Sequence, residues 1–348
     1  MTDKEHLFGK SLDELQEIAA REGLPKFTAR QLADWLYKKD ISSIEEMTNI
    51  SKSHREKLAE KYEVGLTAPG RVSVSTDGTK KYLYSAGPGK FIEAAYIPEK
   101  ERATLCISSQ VGCKMGCLFC ATGKQGFLGQ LSTNQILNQI RSLPERAQLT
   151  NIVYMGMGEP FDNLENVIKS VKILTENWGF EMAPRRITVS TIGVIPGMIR
   201  FLEETKAHLA VSLHSPFEEE RRKIMPIENV YSLPKVMETI KQTEWGRQRR
   251  VSFEYIMFKG FNDQQKHVNE LGRLLHGIKA RINLLRFHPI PGTPMQSSED
   301  ATIEWFRDQL KNKGITTTIR TSRGQDIEAA CGLLSTKAIS NTKKTPDY

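Results

Sequence analysis

From residue 103 onward the chain alternates between two kinds of segment, and that alternation restricts the fold more than any other feature. Apolar, strand-like runs occupy 104–108, 151–156, 186–191, 208–213, 251–257 and 281–288, with 316–320 as a candidate seventh. Helical spacing fills the gaps, at about 132–142, 163–177, 196–204, 232–243, 264–276 and 300–313. Ser132-x-x-Gln135, Asp162-x-x-Glu165 and Asn262-x-x-Gln265 have the form of helix start signals, a short polar cap followed three residues later by a side chain that reaches back. Strands that are apolar throughout suit burial on both faces, and parallel strands joined by helices are buried that way. The pattern predicts an α/β fold. Six repeats fall short of a closed eight-fold barrel, so it reads as a partial (β/α)6 barrel over 101–335. In such a barrel the ligand site lies at the C-terminal ends of the strands.

The flanks differ in character. Residues 1–65 read as a small helical accessory domain, opened by Ser11-x-x-Glu14 and Thr28-x-x-Gln31, with Gly23 as a helix stop. Residues 66–100 read as a short β extension: a hairpin through Val72-Ser-Val-Ser-Thr and Lys81-Tyr-Leu-Tyr, with a tight Asp77-Gly78 turn, then a strand from Phe91 to Ile97. The end of the chain, 336–348 with Lys343-Lys344, reads as a frayed tail. No apolar run approaches the roughly 18 residues of a membrane span. The start, MTDKEHLFGKSLDEL, has neither the apolar centre of a signal peptide nor the acid-poor character of a transit peptide. A cytoplasmic protein without membrane contact is expected.

Five cysteines divide as three plus two. Cys113, Cys117 and Cys120 form one C-x3-C-x2-C loop, whereas Cys106 and Cys331 stand apart. A cytosolic protein has little use for a structural disulfide. Thiolates are soft ligands for iron–sulfur clusters and for zinc, but structural zinc takes four protein ligands. Three cysteines on a four-iron cube leave one iron open. The spacing is the radical S-adenosylmethionine (SAM) signature, with Phe119 as the usual aromatic before the last cysteine. It predicts a 4Fe–4S cluster on Cys113, Cys117 and Cys120, one per chain, with SAM chelated at the open iron. A zinc knuckle or three incidental buried thiols are the alternatives.

Met155-Gly-Met-Gly158-Glu159-Pro160 follows a strand and is a candidate SAM-binding turn, with Gly158 admitting close approach and Glu159 accepting from the SAM ammonium. Ser190, the run Ser212-Leu213-His214 and His288 sit at the ends of later strands and join the cofactor-binding set. Taken singly, each is an ordinary loop residue. Lys+Arg number 49 against 41 Asp+Glu, a net charge of +8. That excess fits a polyanionic partner and fits plain surface charge equally well.

These stretches resemble one family. Cys106-Ile-Ser-Ser-Gln-Val-Gly-Cys113, Phe119-Cys-Ala-Thr-Gly-Lys-Gln-Gly-Phe127, the 155–160 turn, Val189-Ser-Thr-Ile-Gly193, Ser212-Leu-His214, Met225-Pro-Ile227, Phe253-Glu-Tyr-Ile-Met257 and Asp326-Ile-Glu-Ala-Ala-Cys-Gly332 are similar to RlmN-type RNA methyltransferases, a sister group of the Cfr enzymes. Gln125-Gly-Phe127 and Pro160 look like RlmN rather than Cfr. The family commonly has Asn where His288 stands; either side chain can hydrogen-bond SAM.

The resemblance implies methylation of adenine carbon 2 at position 2503 of 23S rRNA, and at position 37 of some tRNAs, with two SAM molecules consumed per turnover. It implies that Cys331 carries the methyl group as S-methylcysteine and that a second SAM yields the radical that activates it. It implies that Cys106 resolves the enzyme–RNA adduct through a transient disulfide with Cys331, and that Glu93 accepts the ring proton. Without the resemblance, Cys106 and Cys331 read as buried thiols and Glu93 as the solvent face of a strand. The basic groups Arg185-Arg186, Arg221-Arg222-Lys223 and Arg247-Gln-Arg249-Arg250 are consistent with RNA. An electron donor such as flavodoxin or ferredoxin and a monomeric state complete the expectation. Cfr-like carbon-8 chemistry, a radical enzyme acting on another substrate and a non-enzymatic iron–sulfur regulator remain the rivals.

Overall fold

The computed structural model describes residues 4–245 and 251–336. The chain begins with β1 (Glu5–His6), α1 (Leu12–Arg21), α2 (Thr28–Lys38), α3 (Lys52–Lys61) and β2 (Tyr62–Glu63), and β1 pairs in parallel with β2. Next come β3 (Arg71–Val74), β4 (Lys80–Ser85) and β5 (Phe91–Pro98), an antiparallel meander. The α/β part then runs β6 (Ala103–Cys106), β7 (Gln110–Gly112), α4 (Ala121–Gln125), β8 (Phe127–Gln130), α5 (Thr133–Arg141), β9 (Asn151–Tyr154), α6 (Leu164–Thr175), β10 (Ile187–Thr191) and α7 (Ile195–Glu204). It continues with β11 (His208–Ser212), α8 (Glu218–Ile224), α9 (Leu233–Gln242), β12 (Val251–Met257), α10 (Gln265–Leu274), β13 (Ala280–Arg286), α11 (Asp300–Asn312) and β14 (Thr316–Ile319).

One sheet holds the molecule together, in the order β14-β13-β12-β11-β10-β9-β6-β5-β4-β3. The seven strands from β14 to β6 are parallel, with helical crossovers between them, and β5 joins the outer side of β6 antiparallel. This is the partial barrel the alternation predicts, and the 316–320 run is its seventh strand. The β extension is continuous with the barrel sheet. Among the described residues no helix is long and apolar enough to cross a membrane.

Local signals fare unevenly. Ser11 and Ser132 form full capping boxes with Glu14 and Gln135. Thr28 is not a cap: α2 is preceded by Phe27, with no side-chain cap bond. Asn163, not Asp162, precedes α6; the Asp162 carboxylate instead accepts from Gln110 Nε2 at 2.7 Å and pairs with Lys114 at 2.8 Å. Gln264 caps α10 with His267, because Asn262 is drawn into the interior, where it binds Phe258 N, His214 O and Ile256 O. Asp162 and Asn262 were each claimed by a stronger tertiary partner. The hairpin is not closed by a two-residue Asp-Gly turn either. Val74 pairs with Lys80, so the loop is 75–79, and Asp77 is free to accept from Thr79 N and Gly324 N.

One basic group changes meaning. Arg185, Arg186, Arg222 and Lys223 are exposed, but Arg221 is fully buried. It pairs with Glu228, itself 2% exposed, and donates to Ile192 O and Ser212 O at the ends of β10 and β11. Arg221 is therefore an internal brace and not an RNA contact. The groups at 247, 249 and 250, and the tail from 337, lie outside the described residues. Breaking a buried ion pair strands one charge, at a cost of about 3 kcal/mol or more. Glu228→Gln should lower stability by that amount in anaerobic urea unfolding, whereas exposed Arg222→Gln should stay within about 0.5 kcal/mol of wild type.

Candidate active site

Residues inside the barrel and at the C-terminal ends of its parallel strands line one cavity of about 500 Å³, which also takes in Arg102 just ahead of β6 and Arg281 near the start of β13. The three-cysteine loop forms one wall, and Cys113, Cys117 and Cys120 all reach it. Backbone bonds hold the loop from three sides: Cys113 N to Gly126 O at 3.0 Å, Leu118 N to Ile224 O at 3.0 Å and Ala121 N to Gly332 O at 2.8 Å. Phe119 packs edge-on against His214, with ring centroids 4.6 Å apart. Burial pushes the Cys113 thiol up to about 12 and Cys117 well above its ordinary value. Thiols so reluctant to ionise in an apolar setting become thiolates when a metal centre stabilises the charge.

Among the described residues no three His, Cys, Asp or Glu converge as the ligands of a single ion do. A four-iron cube, with each thiolate on a different iron, needs its ligands spread round a wider space. Three soft donors on the wall of one large cavity fit that group, and Cys113, Cys117 and Cys120 would hold it.

The 155–160 turn lies beside the loop. Gly158 adopts φ 101°, and a Cβ there would sit 2.5 Å from Gln110 Cβ. Gln110 Oε1 in turn accepts from Glu159 N at 2.8 Å, so glycine lets the turn lock against β7. The Glu159 carboxylate is buried and accepts from Thr191 Oγ1 at 2.7 Å, Ile192 N at 3.0 Å and Phe161 N at 3.0 Å. A carboxylate has about four acceptor sites, so about one is left for a ligand ammonium. Burial outweighs these donors and raises the carboxyl to about 7.

Ser190, Ser212, His214 and His288 also line the cavity. Nδ1 of His214 accepts from Ile256 N at 3.0 Å, and burial, with the charge of Arg221, lowers the ring to about 3. His214 is a neutral ring with Nε2 left as its second polar atom. Leu213 does not line the cavity: its side chain is in the apolar core and its N–H donates to Glu254 O at 3.0 Å. Its side chain therefore faces away from the cavity, and only its backbone is available to a ligand there.

The last segment carries Cys331 back over the barrel. Gly324 N donates to Asp77 Oδ2 at 2.9 Å, Asp326 accepts from Ser75 Oγ at 2.5 Å, Thr122 Oγ1 donates to Leu334 O at 2.6 Å and Ser335 N donates to Glu93 Oε2 at 3.0 Å. These contacts tie the segment to the hairpin on one side and to the cluster loop on the other. Burial would raise Asp77, but hydrogen bonds from Thr79 and Gly324 hold it at about 2, ionised throughout the working range. Cys106 and Cys331 line the cavity together, both as free thiols, and the exposed surface of Cys331 opens onto it. Burial lifts Cys331 to about 11, and burial with the neighbouring Cys331 pushes Cys106 higher still.

Glu93 is not among the cavity-lining residues. It is buried on β5, paired with Lys81 at 3.0 Å and capped by Ser335 N. The carboxylate that does line the cavity is Glu254, which sequence reasoning missed. It belongs to a polar rung across four strands, Ser212–Glu254–Asn283–Thr318 in register, with Asn283 Nδ2 donating to Glu254 at 2.7 Å and Thr318 Oγ1 donating to Asn283 Oδ1 at 2.7 Å. The available signal was a polar residue at the centre of a mostly apolar strand, Glu254 in β12 and Asn283 in β13.

The chain matches known proteins along its whole length. Residues 5–64 match the ribosomal RNA large subunit methyltransferase N-terminal domain, and residues 107–271 match the radical SAM superfamily. Over 336 residues it is 56% identical to a probable dual-specificity RNA methyltransferase RlmN of Parabacteroides distasonis, covering 97% of this chain and 98% of that protein. The chain belongs to the RlmN family. A second RlmN, from Nitratiruptor sp., is 42% identical over 346 residues, covering 94% of this chain and 98% of that one. The crystal structure of a radical SAM methyltransferase from Sphaerobacter thermophilus superposes with a TM-score of 0.87 at 37% identity, over 95% of this chain and 99% of its own. As an RlmN-family member the chain is a radical SAM enzyme and a SAM-dependent transferase. Superfamily membership brings a 4Fe–4S cluster and SAM as its cofactors.

Replacing Cys113, Cys117 or Cys120 by Ala should abolish both iron content and cleavage of SAM to 5′-deoxyadenosine after anaerobic reconstitution. Stoichiometric zinc without iron in the wild-type chain would exclude the cluster assignment.

Proposed function

We propose that this chain methylates carbon 2 of adenine in RNA, at position 2503 of 23S rRNA and at position 37 of tRNAs, through a methyl group carried on Cys331. The observation that carries the reading is the meeting of Cys106 and Cys331, far apart in sequence, in one cavity with the three-cysteine loop. Cys113, Cys117 and Cys120 would hold one cluster per chain, and Gly158, Glu159, Ser190, Ser212, His214 and His288 would hold SAM. When bound, those groups supply the methyl group, the reducing electron and the hydrogen-abstracting radical.

The chain's own residues do the rest. Carbon 2 of adenine lies between two ring nitrogens and is electron-poor, so it does not attack a methyl sulfonium itself. Cys331 is the better nucleophile and takes the methyl group first, losing its proton. Its mobile partner is the RNA base, which must leave its stack to reach the cavity. Once Cys331 is bonded to the base through one carbon, Cys106, as thiolate, would attack Cys331 Sγ: the S–S bond forms, the S–CH2 bond breaks, and the released carbon takes up a proton to leave as the methyl group of the base. Thiol reductants then restore the pair, as a cytosol can.

Glu93 is the proposed proton acceptor. Burial raises its carboxyl against the lowering pull of Lys81, which makes it a stronger proton acceptor than an exposed glutamate, and it grips the Cys331 segment through Ser335 N. Glu254 is the second reading, favoured by its place on the cavity wall. The enzyme acts in the cytoplasm as a monomer, two SAM molecules serve each turnover, and flavodoxin or ferredoxin supplies electrons.

Mass spectrometry of modified adenosines in RNA from cells with and without the gene tests the substrate: loss of 2-methyladenosine is expected, and loss of an 8-methyl product would instead assign Cfr-like chemistry. Cys106→Ala should accumulate as a covalent RNA adduct, recovered after nuclease digestion as a Cys331 peptide bearing adenosine. Free RNA with normal methylation would remove Cys106 from the mechanism. Glu93→Gln should keep methyl loading of Cys331 but slow product formation by roughly a hundredfold, the usual scale of a lost general base. If Glu254→Gln shows that pattern and Glu93→Gln does not, the acceptor is Glu254.

A further inference from the structure

The cavity opens sideways as well as at the strand ends. β14 pairs only with β13 among the described strands, so the barrel stays open between β14 and the β5–β6 edge. Four arginines line the cavity: Arg102 between β5 and β6, Arg281 near the start of β13 beside the edge strand β14, and Arg320 and Arg323 just beyond β14. All four are half-buried. Arg286, further along β13, has Asp300 as its ion-pair partner, but none of these four forms an ion pair among the described residues, and the carboxylates that reach them electrostatically are Glu99 toward Arg102 and Glu254 toward Arg320. The Nε atoms of Arg281 and Arg323 are buried with no hydrogen-bond partner at all. Arg102 makes one side-chain bond, Nε to Thr104 Oγ1 at 2.9 Å. Burial and the like charge of Arg320 depress Arg102, so cations from opposite edges of the opening face each other.

Such an arrangement is unfavourable unless something negative completes it. Guanidinium groups are rigid forks that match a phosphate bidentately, and unpaired buried donors are rare in proteins because they are costly. The reactive end of the cavity already has its own polar set around Glu159, which points the arginines to another ligand. A base that leaves its stack exposes the phosphates on both of its sides, and those phosphates must pass the rim of any cavity the base enters.

We propose that this lateral opening is a phosphodiester clamp, in which Arg102 on one edge and Arg281, Arg320 and Arg323 on the other hold the RNA backbone flanking the everted adenine. The proposal rests on the RNA methyltransferase reading and adds to it how the strand is held. The contacts are to phosphate, so they position the base and carry no sequence information. Cys106 and Cys331 lie in the same cavity, and Arg320 sends its charge to both thiols, which places the clamp beside the carbon transfer.

The test uses the anaerobic holoenzyme and a fluorescein-labelled RNA stem-loop with adenine in its single-stranded loop, with binding followed by anisotropy across a series of KCl concentrations. Removing one arginine–phosphate pair should flatten the slope of log affinity against log salt by about 0.7. Arg102→Gln and Arg323→Gln should each weaken binding roughly tenfold at low salt and flatten the slope by that amount. Arg102→Lys should recover the slope, because a point charge still meets the phosphate, and that recovery excludes a folding defect. Unchanged affinity and slope in both Gln variants would overturn the clamp. So would weakened SAM binding by calorimetry with an unchanged RNA slope, which would give the arginines to the SAM carboxylate. Arginine-dependent binding by a wild-type enzyme that leaves the RNA unmethylated would keep the clamp and overturn the methylation reading.

Discussion

A parallel strand leaves a row of backbone donors and acceptors unpaired wherever its sheet stops, and here the parallel sheet stops at β14. A closed barrel would fill its centre with side chains. An open one keeps a cavity, and the chain beyond β14 must cross the gap to reach the far edge. That crossing carries Cys331 over the site. Asp77 and Asp326 hold its first part against the hairpin, and Thr122 and Glu93 hold its last part against the cluster loop and β5. Gly324 lies at the start of the crossing with φ 62°, where a Cβ would meet both Ala329 and Thr79 at 2.8 Å. The β extension, which has no counterpart in a plain α/β repeat, supplies the anchors for this segment.

Inside the cavity, burial works against charge. It raises the thiols of Cys106, Cys113, Cys117 and Cys331 and the carboxyls of Glu159 and Glu254, and it lowers His214 and His288. A site so biased toward neutral groups suits positively charged ligands at one end and holds nucleophiles back until a partner arrives. Arg221, behind the cavity wall, braces the strand ends. Its charge, balanced by Glu228, ties the ends of β10 and β11 to the helix after β11, so the strand ends that carry Ser190 and Ser212 share one brace.

Much of this was legible beforehand. The six strand-like runs became strands because apolar β-rich segments of that length have little else to do. The three-cysteine spacing pointed to the cluster because soft ligands at short spacing have few other uses. The errors were of one kind. Thr28, Asp162 and Asn262 carry the right chemistry for caps, and each failed because the side chain had a better partner elsewhere or the backbone turned before it. Glu254, Asn283 and Thr318 were passed over because a single polar residue in a buried strand says nothing about its neighbours until the register is known.

The sequence by itself determined the element types, the cluster loop and the family, because those depend on local spacing and on short motifs. The tertiary structure alone decided which side chains meet. It put Cys106 beside Cys331, moved Glu93 under the C-terminal segment, brought Glu254 onto the cavity wall, buried Arg221 and gathered four unpaired arginines at the barrel's open side. The physical reason is that strand register and chain crossings are set by burial summed over the whole sheet, and no single residue carries that sum.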